Sequence, residues 1–202
     1  MATPPEIRWV QYGVVAGLCA SVLYPVLLFA PLPLALTAAA AALLGPSIGV
    51  GSLGLRQLMR LHGPSVAATL GAISNFAAGS LFTVMALIQL AVRHSVSHST
   101  PQRELAGVWL GLDVAWDVYI GLGTIFFASS MLGHPRFRWP FAVSGFVLGF
   151  LVLVLNLQSF PTPPAEAGSV DVGPFVGLWY AAATVQAWRS VGWARGKLKL
   201  AA

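Results

Sequence analysis

The stretch LAGVWLGLDVAWDVYIGLGTIFFASSML, residues 105–132, decides the fold of this chain. It is long and apolar enough to cross a bilayer, since a spanning helix needs about 20 such residues. Within it, Asp113 and Asp117 lie one helical turn apart, although hydrocarbon solvates a carboxylate poorly. The stretch therefore predicts a transmembrane helix and also carries the strongest sign of function.

The whole chain has the composition of an integral membrane protein. Of its 202 residues, 57% are hydrophobic and only 8% are charged, whereas soluble domains carry about 25% charged residues. No part has the composition of a separate soluble domain, so we predict one transmembrane domain over residues 1–202. The 11 basic residues exceed the 6 acids but form no run. This pattern argues against a nucleic-acid partner and indicates membrane topology instead.

Six apolar segments of spanning length predict an all-α bundle of six transmembrane helices. They cover residues 9–30, 33–55, 66–92, 105–132, 139–160 and 174–193. The first is about 22 residues, longer than the 7–15 residues of a signal-peptide core, and Glu6 precedes it. We therefore expect a retained anchor helix.

The basic residues predict the orientation of the bundle. If the N-terminus is cytoplasmic, only Arg93 and Arg103 lie outside. The basic residues on the inner side are then Arg8, Arg56, Arg60, Arg136, Arg138, Arg189, Arg195, Lys197 and Lys199. Because positive charge concentrates in cytoplasmic loops, both termini are predicted to be cytoplasmic. We expect a multi-pass protein of the cell membrane, of the bacterial inner-membrane kind, in contact with the lipid bilayer.

Glycines recur at the GxxxG spacing. The pairs are Gly13/Gly17, Gly45/Gly49, Gly107/Gly111, Gly145/Gly149 and Gly173/Gly177. Small residues let helix backbones approach closely in lipid, so these pairs indicate a tightly packed bundle or faces for self-association and for other membrane subunits. The alternative is that membrane helices are simply rich in glycine.

Polar residues of several segments are predicted to share one layer. At 1.5 Å per residue, Asp113 lies about 12 Å and Asp117 about 18 Å below the outer boundary. The same count places Asn75 and Gln186 near that level and Arg189 close in depth to Asp117. We therefore expect an intramembrane polar cluster of these five residues.

Two interpretations of this cluster stay open. The first is proton or cation handling, with one aspartate protonated because two adjacent carboxylates do not both ionise cheaply. The second is structural hydrogen bonding between helices. A salt bridge between Arg189 and Asp117 would favour the structural interpretation.

The second segment contains GPSIGVGSLG, residues 45–54, which is unfavourable for a regular helix. A helix broken at Gly45, Pro46, Ser47 and Gly49 could expose backbone groups to a ligand. The alternative is a continuous helix with a proline kink that its neighbours repair.

His94 and His98 are spaced i, i+4, as metal ligands on a helix can be. Glu104 is a candidate third ligand, and a solvated loop is the alternative. No cofactor is specified: His62 and His134 fall in inner loops and offer no helix-facing pair for haem. The chain also has no P-loop, GxSxG or CxxC motif and no intramembrane lysine.

Three stretches carry a resemblance to known proteins. They are LDVAWDVYIGLGTIFFASSML (112–132), HPRFRWP (134–140) and LWYAAATVQAWR (178–189). Together with the six predicted helices, they resemble small bacterial six-helix membrane proteins of unknown function. The resemblance implies the fold and assigns no catalytic residue.

Three function classes follow from the sequence. We favour a non-enzymatic subunit or scaffold that packs through Gly-rich helix faces. The second class is a small proton- or cation-coupled carrier that uses Asp113 and Asp117. The third is a lipid-acting membrane enzyme with a His/Asp metal site. A wet path to the aspartates would favour the carrier, and a bound metal would favour the enzyme.

Overall fold

The structure is a computed structural model that describes residues 4–94, 102–165 and 167–201. Over these ranges the regular structure is entirely α-helical. The helices are α1 (Pro5–Phe29), α2 (Leu34–Arg60), α3 (Val66–His94), α4 (Gln102–Met131), α5 (Trp139–Ser159), α6 (Gly173–Arg189) and α7 (Val191–Ala201). The predicted all-α fold is confirmed.

Five of these helices are long and apolar enough to cross a membrane: α1, α2, α3, α5 and the Leu105–Met131 part of α4. They match the first five predicted segments and make this a membrane-embedded helical bundle. The predicted sixth segment, 174–193, is divided. Its first part, α6, has 17 residues and is about 25 Å long. At Ser190 the chain leaves α6, and α7 begins directly afterwards.

The helices form an antiparallel bundle in which neighbours in sequence are neighbours in space. Each of the first five packs against the next, and α6 packs against α1 and α5, which closes the bundle. One end holds the start of α1, the turns after α2 and α4, and α7. We call it the basic end, because Arg60, Arg136, Arg138 and Arg195 lie there. The turns after α1, α3 and α5 form the loop end.

Glycines allow the closest helix contacts. A Cβ atom added at Gly13 of α1 would overlap the backbone of Gly54 in α2, and one at Gly45 would overlap Gly79 in α3. One at Gly149 would lie 2.7 Å from a backbone carbonyl oxygen of α4. By contrast, a Cβ at Gly107 would meet no described atom within 4 Å. These glycines therefore divide into those used inside the bundle and those on open surface.

Of the two alternatives for the glycine-rich segment of α2, the structure has the continuous helix. The segment with Gly45, Pro46, Ser47 and Gly49 lies inside one continuous helix, Leu34–Arg60. Pro46 is exposed. Gly45 and Gly49 are buried, and a Cβ at Gly49 would contact Phe76 of α3. The glycines thus serve helix contact, and the helix runs on past the missing amide of the proline.

We predict that Gly13→Ala destabilises the bundle while Gly107→Ala does not. Overpacking of a tight contact costs about 1–3 kcal/mol, whereas alanine at an open helical site is more favourable than glycine by about 1 kcal/mol. Thermal unfolding in mild detergent should show a lower Tm for Gly13→Ala and an equal or higher Tm for Gly107→Ala. Equal Tm values for the two variants would contradict the packing.

Candidate functional site

A cavity of about 360 Å³ lies at the loop end of the bundle, between α1, α2, α3, α4 and the loop after α5. We call it the acidic cavity. Its polar and aromatic lining residues are Tyr24, Thr37, Phe82, Gln89, Arg93, Asp113, Trp116, Asp117 and Asp171. Three of these are acids and one, Arg93, is a base, so among the described lining residues negative charge predominates.

Helix α4 supplies the two aspartates from one face. Asp113 is half-buried, and Asp117 is only 9% exposed. Trp116, between them, stacks edge-on against Phe82 of α3 with 5.2 Å between ring centroids. On either side of Trp116 in the sequence, Asp113 and Asp117 both line the cavity.

Asn156 of α5 supports Asp117 from behind. Its side chain is hydrogen-bonded to the Asp117 carboxyl group, and its Nδ2 atom also donates to the Val152 carbonyl oxygen at 3.0 Å. Asn156 is 3% exposed. Its Oδ1 atom is buried and has no hydrogen-bond donor among the described atoms.

The loop after α5 covers the acidic cavity. Pro163 and Pro164 of this loop are buried and line the cavity wall. At its far end, Asp171 Oδ1 accepts a hydrogen bond of 2.8 Å from the Gly173 amide. A carboxylate at a helix N-terminus satisfies an otherwise unpaired amide, so this bond anchors the loop to the start of α6.

A second, apolar cavity of about 430 Å³ adjoins the first. We call it the apolar groove. It lies between α1, α2 and α6, with Trp116 and Ile120 of α4 at its base. Four residues line both cavities: Tyr24, Leu28, Trp116 and Gly173.

Asn75 belongs to a separate network nearer the basic end. Its Nδ2 donates to Ser52 Oγ at 2.9 Å and to the Tyr180 hydroxyl at 2.8 Å. Tyr180 lies 3.2 Å from Asn75 Oδ1, and Thr124 Oγ1 donates to it at 3.2 Å. We call these four residues the amide network. Thr124 follows Asp117 by two turns of α4, about 10 Å, so Asn75 is not part of the acidic cavity.

Gln186 and Arg189 also lie away from the aspartates. Gln186 Nε2 donates to the Arg136 carbonyl oxygen, and Arg136 Nη2 donates to the Arg189 carbonyl oxygen at 3.3 Å. Arg136 follows the end of α4 at Met131, which is about 20 Å from Asp117 along the helix. The structure therefore does not bring Arg189 to Asp117.

The difference arises from the lengths of two helices. The predicted depths assumed that the fourth and sixth segments start at the same distance from the outer boundary of the membrane. In the structure α4 has 30 residues, which is about 45 Å, whereas α6 has only 17. The start of α6 lies beside Asp117 at the acidic cavity. Residues at the end of α6 consequently reach the basic end.

The predicted metal ligands give no described site. His94 is exposed, and its Nδ1 atom lies 3.0 Å from the Leu90 carbonyl oxygen. His98 lies outside the described residues. Within the part of the chain that the structure describes, no three His, Cys, Asp or Glu side chains are close enough to hold a metal ion. The metal site therefore stays a prediction.

Histidines that the sequence places in two separate loops meet at the basic end. The rings of His62 and His134 are 5.3 Å apart, and Trp193 of α7 lies 5.1 Å from His134. His134 is 4% exposed, and its Nδ1 accepts a hydrogen bond from the Arg136 amide. Burial, together with the nearby His62, lowers the pKa of His134 to about 4.

The sequence analysis did not identify several residues of these sites. Asn156 lies within an apolar segment and was detectable by the rule that flagged Asn75. Tyr24 and Tyr180 are common residues in membrane helices, and nothing in the sequence separates them from interfacial aromatics. Asp171 lies in a loop, so only the folded chain brings it to the cavity.

Comparison with known proteins finds no relative. The chain matches no family model, no curated protein and no solved structure.

We predict that His134 makes the bundle less stable on acidification. In the unfolded chain His134 takes up a proton below its ordinary pKa of 6.5, whereas the folded protein takes it up only near pH 4. Stability linked to His134 should therefore fall as the pH decreases from about 6.5 to about 4. The Tm of the wild type should drop more between pH 7 and pH 5 than the Tm of His134→Gln.

His94→Gln is the matched control, because His94 is exposed. It should follow the wild type at every pH. If His134→Gln and His94→Gln show the same pH dependence, the burial of His134 does not affect stability.

Proposed function

We propose that this chain is a small membrane carrier that binds a cation, coupled to proton binding, in the acidic cavity. The supporting observation is that Asp113 and Asp117 line a space of about 360 Å³ within the bundle. If the two aspartates had only a structural role, neighbouring side chains would fill the space beside them. The space leaves room for a solute beside both carboxyl groups.

Electrostatics favours a positively charged solute. A buried carboxylate is costly unless it is protonated or paired with a positive charge. Asp117 is 9% exposed, and the three acids of the cavity outnumber its one base, Arg93, so a proton or a bound cation would compensate the excess negative charge. Coupling follows, because a cation that binds beside Asp117 displaces the proton that the empty site holds.

The lining also provides aromatic faces for a cation. Tyr24 and Trp116 line the cavity together with the aspartates. An ammonium group within about 6 Å of an aromatic face gains about 0.5–2 kcal/mol. This combination suits an organic ammonium ion better than a small hydrated metal ion, which prefers oxygen ligands alone.

The proposed topology gives the cavity a direction. With six spans and both termini in the cytoplasm, the loop end and its acidic cavity face outward. The loop with Pro163 and Pro164 then lies on the outer side of the cavity, and the amide network lies towards the inner side. In this proposal α6 is the sixth span, since it packs along α1 within the bundle.

A second candidate is the scaffold or subunit role that the sequence favoured. Gly107 and Gly111 of α4 support it, because a Cβ at either would meet no described atom within 4 Å. Small residues on open helix surface suit contact with another membrane helix. Gly13, Gly45 and Gly149 support it less, because they already contact helices of the same chain.

We predict that Asp117→Asn weakens cation binding at least tenfold in protein reconstituted into nanodiscs. Loss of one close charge pair at the binding site removes about 1.4 kcal/mol or more, which is tenfold in Kd. Equilibrium dialysis with labelled tetramethylammonium measures the change. A folded Asp117→Asn variant that binds as tightly as the wild type would contradict the proposal.

Glu6→Gln is the control, because it makes the same chemical change at the basic end, where Glu6 lies in the first turn of α1. It should bind tetramethylammonium like the wild type. If Gly107→Leu abolishes self-association and no variant changes cation binding, the scaffold role is favoured instead.

A further inference from the structure

We propose that the bound cation is amphipathic: its charged head occupies the acidic cavity and its hydrocarbon part lies in the apolar groove. This inference rests on the proposed function and names the class of ligand, a lipophilic amine or quaternary ammonium ion. It assigns a role to the apolar groove, which a small hydrophilic cation would leave unused.

Adjacency of the two spaces is the first argument. Tyr24, Leu28, Trp116 and Gly173 line both of them. A ligand bound to the aspartates therefore lies next to the groove, and side chains of these shared residues are what border both spaces. Volumes of about 360 and 430 Å³ each lie in the range of small-molecule sites, about 300–1,000 Å³.

The different chemistry of the two spaces is the second argument. The groove is lined mainly by apolar side chains of α1, α2 and α6, among them Leu44, Ile48 and Val176. The acidic cavity adds Asp113, Asp117 and Asp171 at one side. Carboxylates next to an apolar groove complement a molecule with a positive head and an apolar tail.

Charge also selects among amphipathic molecules. An anionic amphiphile would place its charge beside Asp113 and Asp171. A zwitterionic phospholipid would bring a phosphate close to the same carboxylates. A free organic cation avoids both repulsions, so we assign the site to that class and not to a membrane lipid.

A series of alkyl trimethylammonium ions tests the proposal. Binding of tetramethyl-, butyltrimethyl-, hexyltrimethyl- and octyltrimethylammonium to the protein in nanodiscs is measured by calorimetry, with empty nanodiscs subtracted. Burial of one methylene is worth about a fourfold change in affinity. We expect affinity to rise about fourfold per methylene, and octyl sulfate to bind no better than to empty nanodiscs.

Two neighbouring alanines of α6 provide a matched pair of variants. Ala181 lines the apolar groove, whereas Ala182 is exposed on the outside of the same helix. Ala181→Phe should fill the groove, so that affinity no longer rises with chain length while tetramethylammonium still binds. With Ala182→Phe, the affinity should still rise with chain length as it does for the wild type. If Ala181→Phe does not fold, Ala181→Leu replaces it.

The outcomes separate this inference from the proposed function. Tetramethylammonium binding with no dependence on chain length would overturn the amphipathic ligand and leave the cation site in place. Equal binding of octyl sulfate and octyltrimethylammonium would overturn the charge selection. If no cation binds, both proposals fail.

Discussion

Hydrocarbon offers no hydrogen-bond partner to a polar group, and the arrangement of this bundle follows from that constraint. Backbone amides and carbonyls are satisfied within helices, which explains why the described regular structure is all helical. The polar side chains of these helices must satisfy one another inside the bundle. Asn75 and Thr124 are 0% exposed, and each has a hydrogen-bond partner on another helix.

Close helix contacts and cavities have a common origin in side-chain size. Where glycines face each other, as at Gly13 and Gly54, the backbones touch and no space remains. Nearer the loop end, Tyr24 of α1 packs against Gly177 of α6, and its bulk holds α1 and α6 apart. The apolar groove lies beside this contact. The helices thus pack tightly at the level of Gly13 and leave a cavity at the level of Tyr24.

The helices could be predicted from the sequence because bilayer thickness sets their length. The predicted first five segments agree with helices of the structure, and even Pro46 lies inside the segment assigned to it. The depth of a residue within the bundle was less predictable. To predict it, one must know the level at which its helix starts, and α4 and α6 start at different levels. Gln186 and Arg189 were therefore placed beside aspartates from which the structure separates them.

The acidic cavity could be predicted only in part, for a related reason. Asp113 and Asp117 stand out because they are close in sequence and lie in an apolar segment. Tyr24 and Asp171 join them only after α1 and α6 pack together. A single sequence does not determine that contact, since α1 and α6 are the first and sixth segments of the chain.

The amide network and the acidic cavity differ in charge. This difference suits the structural interpretation to the first and the proton- or cation-handling interpretation to the second. The amide network contains only neutral groups, and Asn75 uses both its amide nitrogen and its amide oxygen within it. Such a network is complete without a ligand and suits a structural role. The acidic cavity differs, because it combines three carboxylates with unfilled space. A layer with excess negative charge beside such a space is where a cationic solute would bind, and the neutral layer beneath it would keep that solute from crossing unassisted.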